Sequence, residues 1–154
     1  DGFEISVSGV LAPWWSASLG YSYLDATIVR SNDEANVGKQ LPYVPEHSLT
    51  LWNRFDIFRW DDGGTLGFGA GAKLYDRVNN GFNDAGETDW NPSYVLVDTG
   101  LYYTRPLAGG QFKLSAQLKN VFDEVYYDRR RYFNSGTIVW GNERRAFLQA
   151  EMTF

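Results

Sequence analysis

Between Trp15 and Tyr23 the residue type changes at every step. Trp15, Ala17, Leu19, Tyr21 and Tyr23 alternate with Ser16, Ser18, Gly20 and Ser22. A period of two is a strand with unlike faces. A strand covered by protein on both sides would not carry a row of serines. The chain must therefore fold so that many strands meet two different media.

The same period recurs along the chain. Phe3, Ile5 and Val7 oppose Glu4, Ser6 and Ser8. In a third strand Leu49, Leu51, Phe55 and Ile57 oppose Thr50, Trp52, Arg54 and Asp56, with Asn53 breaking the apolar row. A fourth places Leu66, Phe68, Ala70, Ala72 and Leu74 against Gly67, Gly69, Gly71, Lys73, Tyr75 and Arg77. A fifth carries Val95, Val97, Thr99, Leu101 and Tyr103 outward, with Tyr94, Leu96, Asp98, Gly100 and Tyr102 inward. Phe112, Leu114, Ala116 and Leu118 form the apolar face of a sixth, and Ala146, Leu148, Ala150, Met152 and Phe154 that of a seventh. Turn signals around 11–14, 61–64 and 105–110 are short, whereas 30–45, 78–92 and 128–140 read as long loops. Short and long connections alternate, as in outer-membrane barrels.

Composition narrows the medium. Six Trp, ten Tyr and ten Phe coexist with a mean hydropathy of −0.38. That mixture suits strands with one apolar face and one wet face. No apolar run approaches the ~18 residues of a membrane-crossing helix, so a membrane reading must be a barrel reading. A net charge of −5 argues against a nucleic-acid partner. The chain has no cysteine for a disulfide or thiolate metal site. It does not begin with Met, so either an export signal has been removed or the chain is a piece of something longer. Seven strands leave two unpaired edges, near residues 3–10 and 144–154, where self-association is expected if the piece exists alone. Single-chain bacterial barrels have an even strand count, so the 154 residues are not expected to close a barrel by themselves.

Four segments carry a resemblance. Tyr21-Ser22-Tyr23-Leu24-Asp25-Ala26 is similar to a Gly-Tyr-Thr-Tyr-Leu-Asp segment, and Gly38-Lys39-Gln40-Leu41-Pro42-Tyr43-Val44-Pro45-Glu46-His47 to Gly-Lys-x-Leu-Pro-x-Val-Pro-x-His. Ser93-Tyr94-Val95-Leu96-Val97-Asp98 resembles Ser-Tyr-x-Leu-Val-Asp, and Asn120-Val121-Phe122-Asp123 precedes an aromatic pair and a final strand ending in Phe154. In this order they resemble the C-terminal part of a TonB-dependent outer-membrane receptor of the ferric-siderophore type. The resemblance implies an all-β, antiparallel transmembrane β-barrel segment of about seven strands, roughly the last third of a barrel of about 22 strands. It assigns residues 1–154 to that barrel domain, with the N-terminal plug domain absent. It implies uptake of a ferric siderophore across the outer membrane of a Gram-negative bacterium, not catalysis. The implied partners are the ferric siderophore, the TonB-ExbB-ExbD complex acting through the missing N-terminal part, and outer-membrane lipid and lipopolysaccharide. No cofactor is implied, iron entering only as part of the siderophore.

Candidate binding residues follow from chemistry. Arg129, Arg130 and Arg131 lie in a loop with Tyr126, Tyr127, Tyr132 and Trp140. Guanidinium charge with aromatic faces suits capture of an anionic ferric chelate. Tyr75, Arg77, Trp90 and Tyr94 could join from neighbouring loops and the upper lumen. The competing reading is a solvated or lipopolysaccharide-facing loop. Gly67, Gly69 and Gly71 share one strand face and would let another backbone approach, in the receptor reading that of the plug. His47 is the sole histidine, too little for a triad or zinc site, and is expected to be structural or solvated. The carboxylates match no calcium-loop pattern and read as loop solubility. Trp14, Trp15, Phe58, Trp60, Tyr103 and Phe112, near short turns, are expected to form an interfacial girdle. Two rivals stand beside the receptor: a small complete outer-membrane β-barrel with a structural or adhesive role, and a soluble lipocalin-like ligand-binding barrel.

Overall fold

The computed structural model describes residues 1–82, 87–129 and 139–154. In chain order its strands are β1 (Gly2–Ala12), β2 (Trp15–Leu24), β3 (His47–Arg59), β4 (Thr65–Tyr75), β5 (Val78–Phe82), β6 (Thr88–Asn91), β7 (Tyr94–Leu107), β8 (Gly110–Lys119), β9 (Tyr127–Arg129), β10 (Val139–Trp140) and β11 (Arg145–Thr153). Seven form one sheet in the order β1-β2-β3-β4-β7-β8-β11. Every neighbouring pair in it is antiparallel. These are the seven strands expected from the period. Among the described residues β1 and β11 form the two edges.

Two expected loops contain more than loop. β5 pairs with β6 between β4 and β7, and β9 with β10 between β8 and β11. Val78-Asn79-Asn80-Gly81 has no alternating apolar row, so periodicity could not reveal its strand.

The register aligns the apolar rows across the whole sheet. Leu19 faces Leu51, Leu51 faces Ala72, Ala72 faces Val97, and further down Leu101 faces Ala116, which faces Leu148. Among the described residues no apolar side chain is buried, while Asn79, Asn80, Asn91, Asp98 and Asn120 are. Leu101 is 51% and Leu148 75% exposed, both in mid-strand. A protein in water hides such residues; this sheet needs an apolar medium against one face.

The few polar groups on that face are satisfied internally, as lipid requires. Asn53 interrupts the apolar row of β3, and its side-chain oxygen accepts from Trp15 Nε1 at 3.0 Å. Thr99 Oγ1 donates to the Gly69 carbonyl at 2.9 Å. Tyr21 Oη and His47 Nδ1 are 2.9 Å apart, giving His47 its structural place.

Aromatic rings border the apolar band at both ends. At the short turns Trp14, Trp15 and Phe55 stack with centroids 6.0–6.2 Å apart. Beside them Trp60 meets Phe58 at 4.8 Å and Tyr103 at 5.7 Å, and Tyr103 meets Phe112 at 6.4 Å. This is the expected girdle. At the long-loop end Phe3, Tyr21, Tyr23 and His47 cluster. From Trp15 to Tyr23 the strand runs about 26 Å, close to the apolar height of outer-membrane barrels.

One side chain sits differently from expectation. Asp56 pairs with Gly67 and Phe58 with Leu66, so Ile57 is the extra residue of a β-bulge. Phe58 takes the row position that alternation gives to Ile57. The following turn is tight, with Gly63 at φ 84°. There the Gly64 N–H, 3.0 Å from Asp62 Oδ1, and the nearby Arg105 hold the Asp62 carboxyl below the usual carboxylate range.

Candidate ligand-facing surface of the lumen and long loops

The polar face opposite the apolar band is built around glycines. Trp52, from β3, lies on the Gly69–Gly71 stretch of β4: a Cβ on Gly69 would come within 2.5 Å of the Trp52 ring and 3.0 Å of Tyr102. The glycine row is thus already occupied by a side chain of the same sheet. A plug backbone is not what fills these two positions. Arg54 Cζ stands 4.7 Å over the Tyr102 ring, and Lys119 Nζ 5.6 Å over Trp52. Asp98 takes Lys119 at 3.3 Å and Lys73 at 3.6 Å, and its other oxygen accepts from the Asn120 N–H at 3.0 Å. Lys113 pairs with Glu151 at 3.0 Å. Charges on this face are largely paired with one another or laid on rings, which suits a wetted wall.

The long loops rise from one end of the sheet. Asn79, fully buried, joins the first two: its Nδ2 donates to the Gln40 carbonyl at 2.6 Å, and its carbonyl accepts from the Tyr43 N–H at 2.7 Å. Tyr43 itself is held at φ 65°, unusual for a bulky residue. Arg77 Cζ lies 4.3 Å from the Trp90 ring, so these two expected residues do meet, across the β5–β6 hairpin.

Tyr75 and Tyr94 also meet, with centroids 5.2 Å apart, and Tyr94 stacks on Tyr126 at 4.5 Å. Trp140 packs on Tyr127 at 4.7 Å. Arg129 contributes backbone to β9. Arg130 and Arg131 lie outside the described residues. A cleft of about 580 Å³ opens at this rim, lined by Ser48, Tyr75, Asp76, Tyr94 and Glu124 but also by Leu49, Leu74 and Val95. The latter three belong to the apolar band, whereas Ser48, Tyr75 and Tyr94 stand in the polar rows of their strands.

Sequence reasoning named Tyr126 only as a ring beside the arginines and left out Gly141 and Asn142, which with it tie the third loop down. Tyr126 lies against Gly141, where a Cβ would collide with its ring. The Gly141 N–H donates to the Tyr126 carbonyl at 2.8 Å, and the Asn142 N–H to its hydroxyl at 3.1 Å. Glycine directly after Trp140 was the available signal.

An antiparallel sheet with an apolar face edged by aromatics, a polar inner face and alternating short and long connections defines an outer-membrane-type β-barrel segment. The family model described as TonB dependent receptor-like, beta-barrel, matches residues 1–121. The chain belongs to this family, whose members are β-barrels of the Gram-negative outer membrane, and that is its location. It is 35% identical over 128 residues to the catecholate siderophore receptor Fiu of Escherichia coli K12, covering 82% of this chain and 16% of Fiu. It is 30% identical over 139 residues to the probable TonB-dependent siderophore receptor PiuA of Acinetobacter baumannii, covering 84% and 17%. The closed-form crystal structure of Fiu superposes with a TM-score of 0.75 at 30% identity, over 97% of this chain and 20% of that one. The chain thus spans about a fifth or less of these relatives. The family is one of receptors rather than enzymes.

Proposed function

We propose that these residues form the C-terminal part of the barrel of an outer-membrane receptor that takes up a ferric siderophore, energised by the TonB-ExbB-ExbD complex. The observation that carries the reading is the inside-out sheet: exposed Leu, Val and Phe on one face, paired charges and rings on the other. The siderophore receptors named among the relatives support the substrate class. The remaining strands, the plug and the segment that contacts the coupling complex belong to other parts of a longer receptor. Lipid and lipopolysaccharide contact the apolar face and the upper rim.

Ligand capture falls to the long-loop end. Tyr75, Arg77, Trp90, Tyr94, Trp140 and the arginines 129–131 supply rings and positive charge to an anionic chelate. The ligand's own oxygens hold the iron, and no resident cofactor takes part.

The test is radioiron uptake by cells carrying or lacking the receptor gene that contains this segment. Ferric catecholate, hydroxamate and carboxylate siderophores are offered in turn. The reading expects one class to lose uptake on deletion, and to keep surface binding but lose uptake when TonB is inactivated. Equal uptake and binding of all three classes with and without the gene would overturn it.

A further inference from the structure

Asn120 is the node of a hydrogen-bond clasp that the family assignment does not describe. It ends β8 in the left-handed region, φ 51°, which asparagine tolerates better than most residues. Its N–H is taken by Asp98 on the neighbouring strand at 3.0 Å. Its Nδ2 donates to the carbonyls of Glu124 at 2.9 Å and of Asn142 at 3.1 Å, and its Oδ1 accepts from the Glu124 N–H at 2.8 Å. Residues 124 and 142 stand on the outgoing and returning legs of the third long loop. One side chain, only 4% exposed, therefore ties both legs together, and its backbone ties them to the sheet.

Two further contacts repeat the closure, and a third fastens the outgoing leg to the sheet. Asp123 Oδ1 accepts from the Arg144 N–H at 2.7 Å. Val121 N–H donates to the Val97 carbonyl at 2.8 Å, extending the sheet by one bond beyond β8. Tyr126 stacks on Tyr94 and also lies against Gly141, so a ring from one leg sits on the backbone of the other. Loop legs without such ties would open at little free-energy cost.

The geometry points to Asn120, with Asp98 and Tyr126, as positioning residues for ligand capture: without touching the ligand, they hold together the two legs that carry Tyr127 and Trp140, whose ring centroids are 4.7 Å apart. The capture half of this statement rests on the function proposed above; the clasp itself does not. Preorganised loops bind more tightly because less ordering remains to be done on binding.

Asn120→Gly is the informative variant, because glycine keeps the left-handed backbone and removes every side-chain bond. It is made in the full receptor, and heat-modifiable gel migration confirms that the barrel has closed. Should Asn120→Gly fail to close, Asn120→Asp, which retains the acceptor and loses both Nδ2 bonds, takes its place. Hydrogen exchange is followed over 120–129 and 139–144, together with cell-surface binding of the radioiron siderophore that the unaltered receptor takes up. The expected result is exchange about tenfold faster or more in both legs, with the main sheet unchanged, and binding weakened about tenfold. Unchanged exchange in the legs overturns the clasp. Faster exchange with unchanged binding overturns the positioning role. If the unaltered receptor binds no ferric siderophore, the transport reading fails instead, and the exchange rates alone judge the clasp.

Discussion

Trp15 Nε1 donates to Asn53 Oδ1 across 3.0 Å on the face of the sheet that meets lipid. The bond makes an amide tolerable in an apolar row, because an unpaired amide there has no water to turn to. Trp15→Phe is therefore expected to destabilise the barrel by about 1–3 kcal/mol, and Trp15→Phe with Asn53→Leu by clearly less. The midpoint temperature of heat-modifiable gel migration of the receptor checks this. Equal loss in the single and double variants would contradict the pairing.

Trp52 and Gly69 make a second prediction. A methyl group on Gly69 would enter the Trp52 ring at 2.5 Å and press Tyr102 at 3.0 Å. Gly69→Ala should cost about 1–3 kcal/mol as overpacking. Trp52→Leu in the same chain should return part of that loss, since a smaller side chain vacates the space. The same melting assay reads both variants. A Gly69→Ala barrel as stable as the original would mean that the ring does not rest there.

The seven long strands and the alternation of connections were legible because a two-faced medium imposes a strict period of two on each strand. The girdle at the short turns was legible for the same reason, since Trp14, Trp60 and Tyr103 sit where rows end. What the period could not show lies in the register. Asn53 looked like a break in a row until β2 brought Trp15 to it. The glycines of β4 looked like room for another backbone until β3 laid Trp52 on them. A bulge has no residue signature, so Ile57 and Phe58 exchanged roles unannounced. The short hairpins in the loops are held by asparagine side chains such as Asn79, which carry no apolar pattern. Of the candidate site, the pairs Arg77 with Trp90 and Tyr75 with Tyr94 were within reach of chemistry alone, whereas Tyr126 on Gly141 needed the fold.

Asp98 is 6% exposed and serves two lysines and a backbone N–H at once. Removing it leaves Lys73 and Lys119 facing each other and the Asn120 N–H without its acceptor. Asp98→Ala should cost about 1.5–3 kcal/mol, the range of hydrogen bonds to charged groups. Asp98→Asn keeps an oxygen for Asn120 and should lose less. A melting midpoint for Asp98→Asn as low as that for Asp98→Ala would assign the effect to the ion pairs alone.

The assignment of the two faces gives the sharpest test. Leu148 and Gln149 are neighbours on β11, 148 on the apolar face with Ala116 and 149 on the polar face with Ser115. In a bilayer, Leu148→Arg carries a charge into hydrocarbon at a cost of about 2–4 kcal/mol near mid-depth, whereas Gln149→Arg points into water. The first variant should lower the yield of folded receptor in outer membranes several-fold and the second should leave it near the original. A soluble barrel with its large side chains inside would show a different signature. It would fail with Leu148→Arg in the absence of any membrane, and would stay monodisperse without detergent when unaltered. Yield in membranes, with solubility of the unaltered chain in the absence of detergent, separates the two.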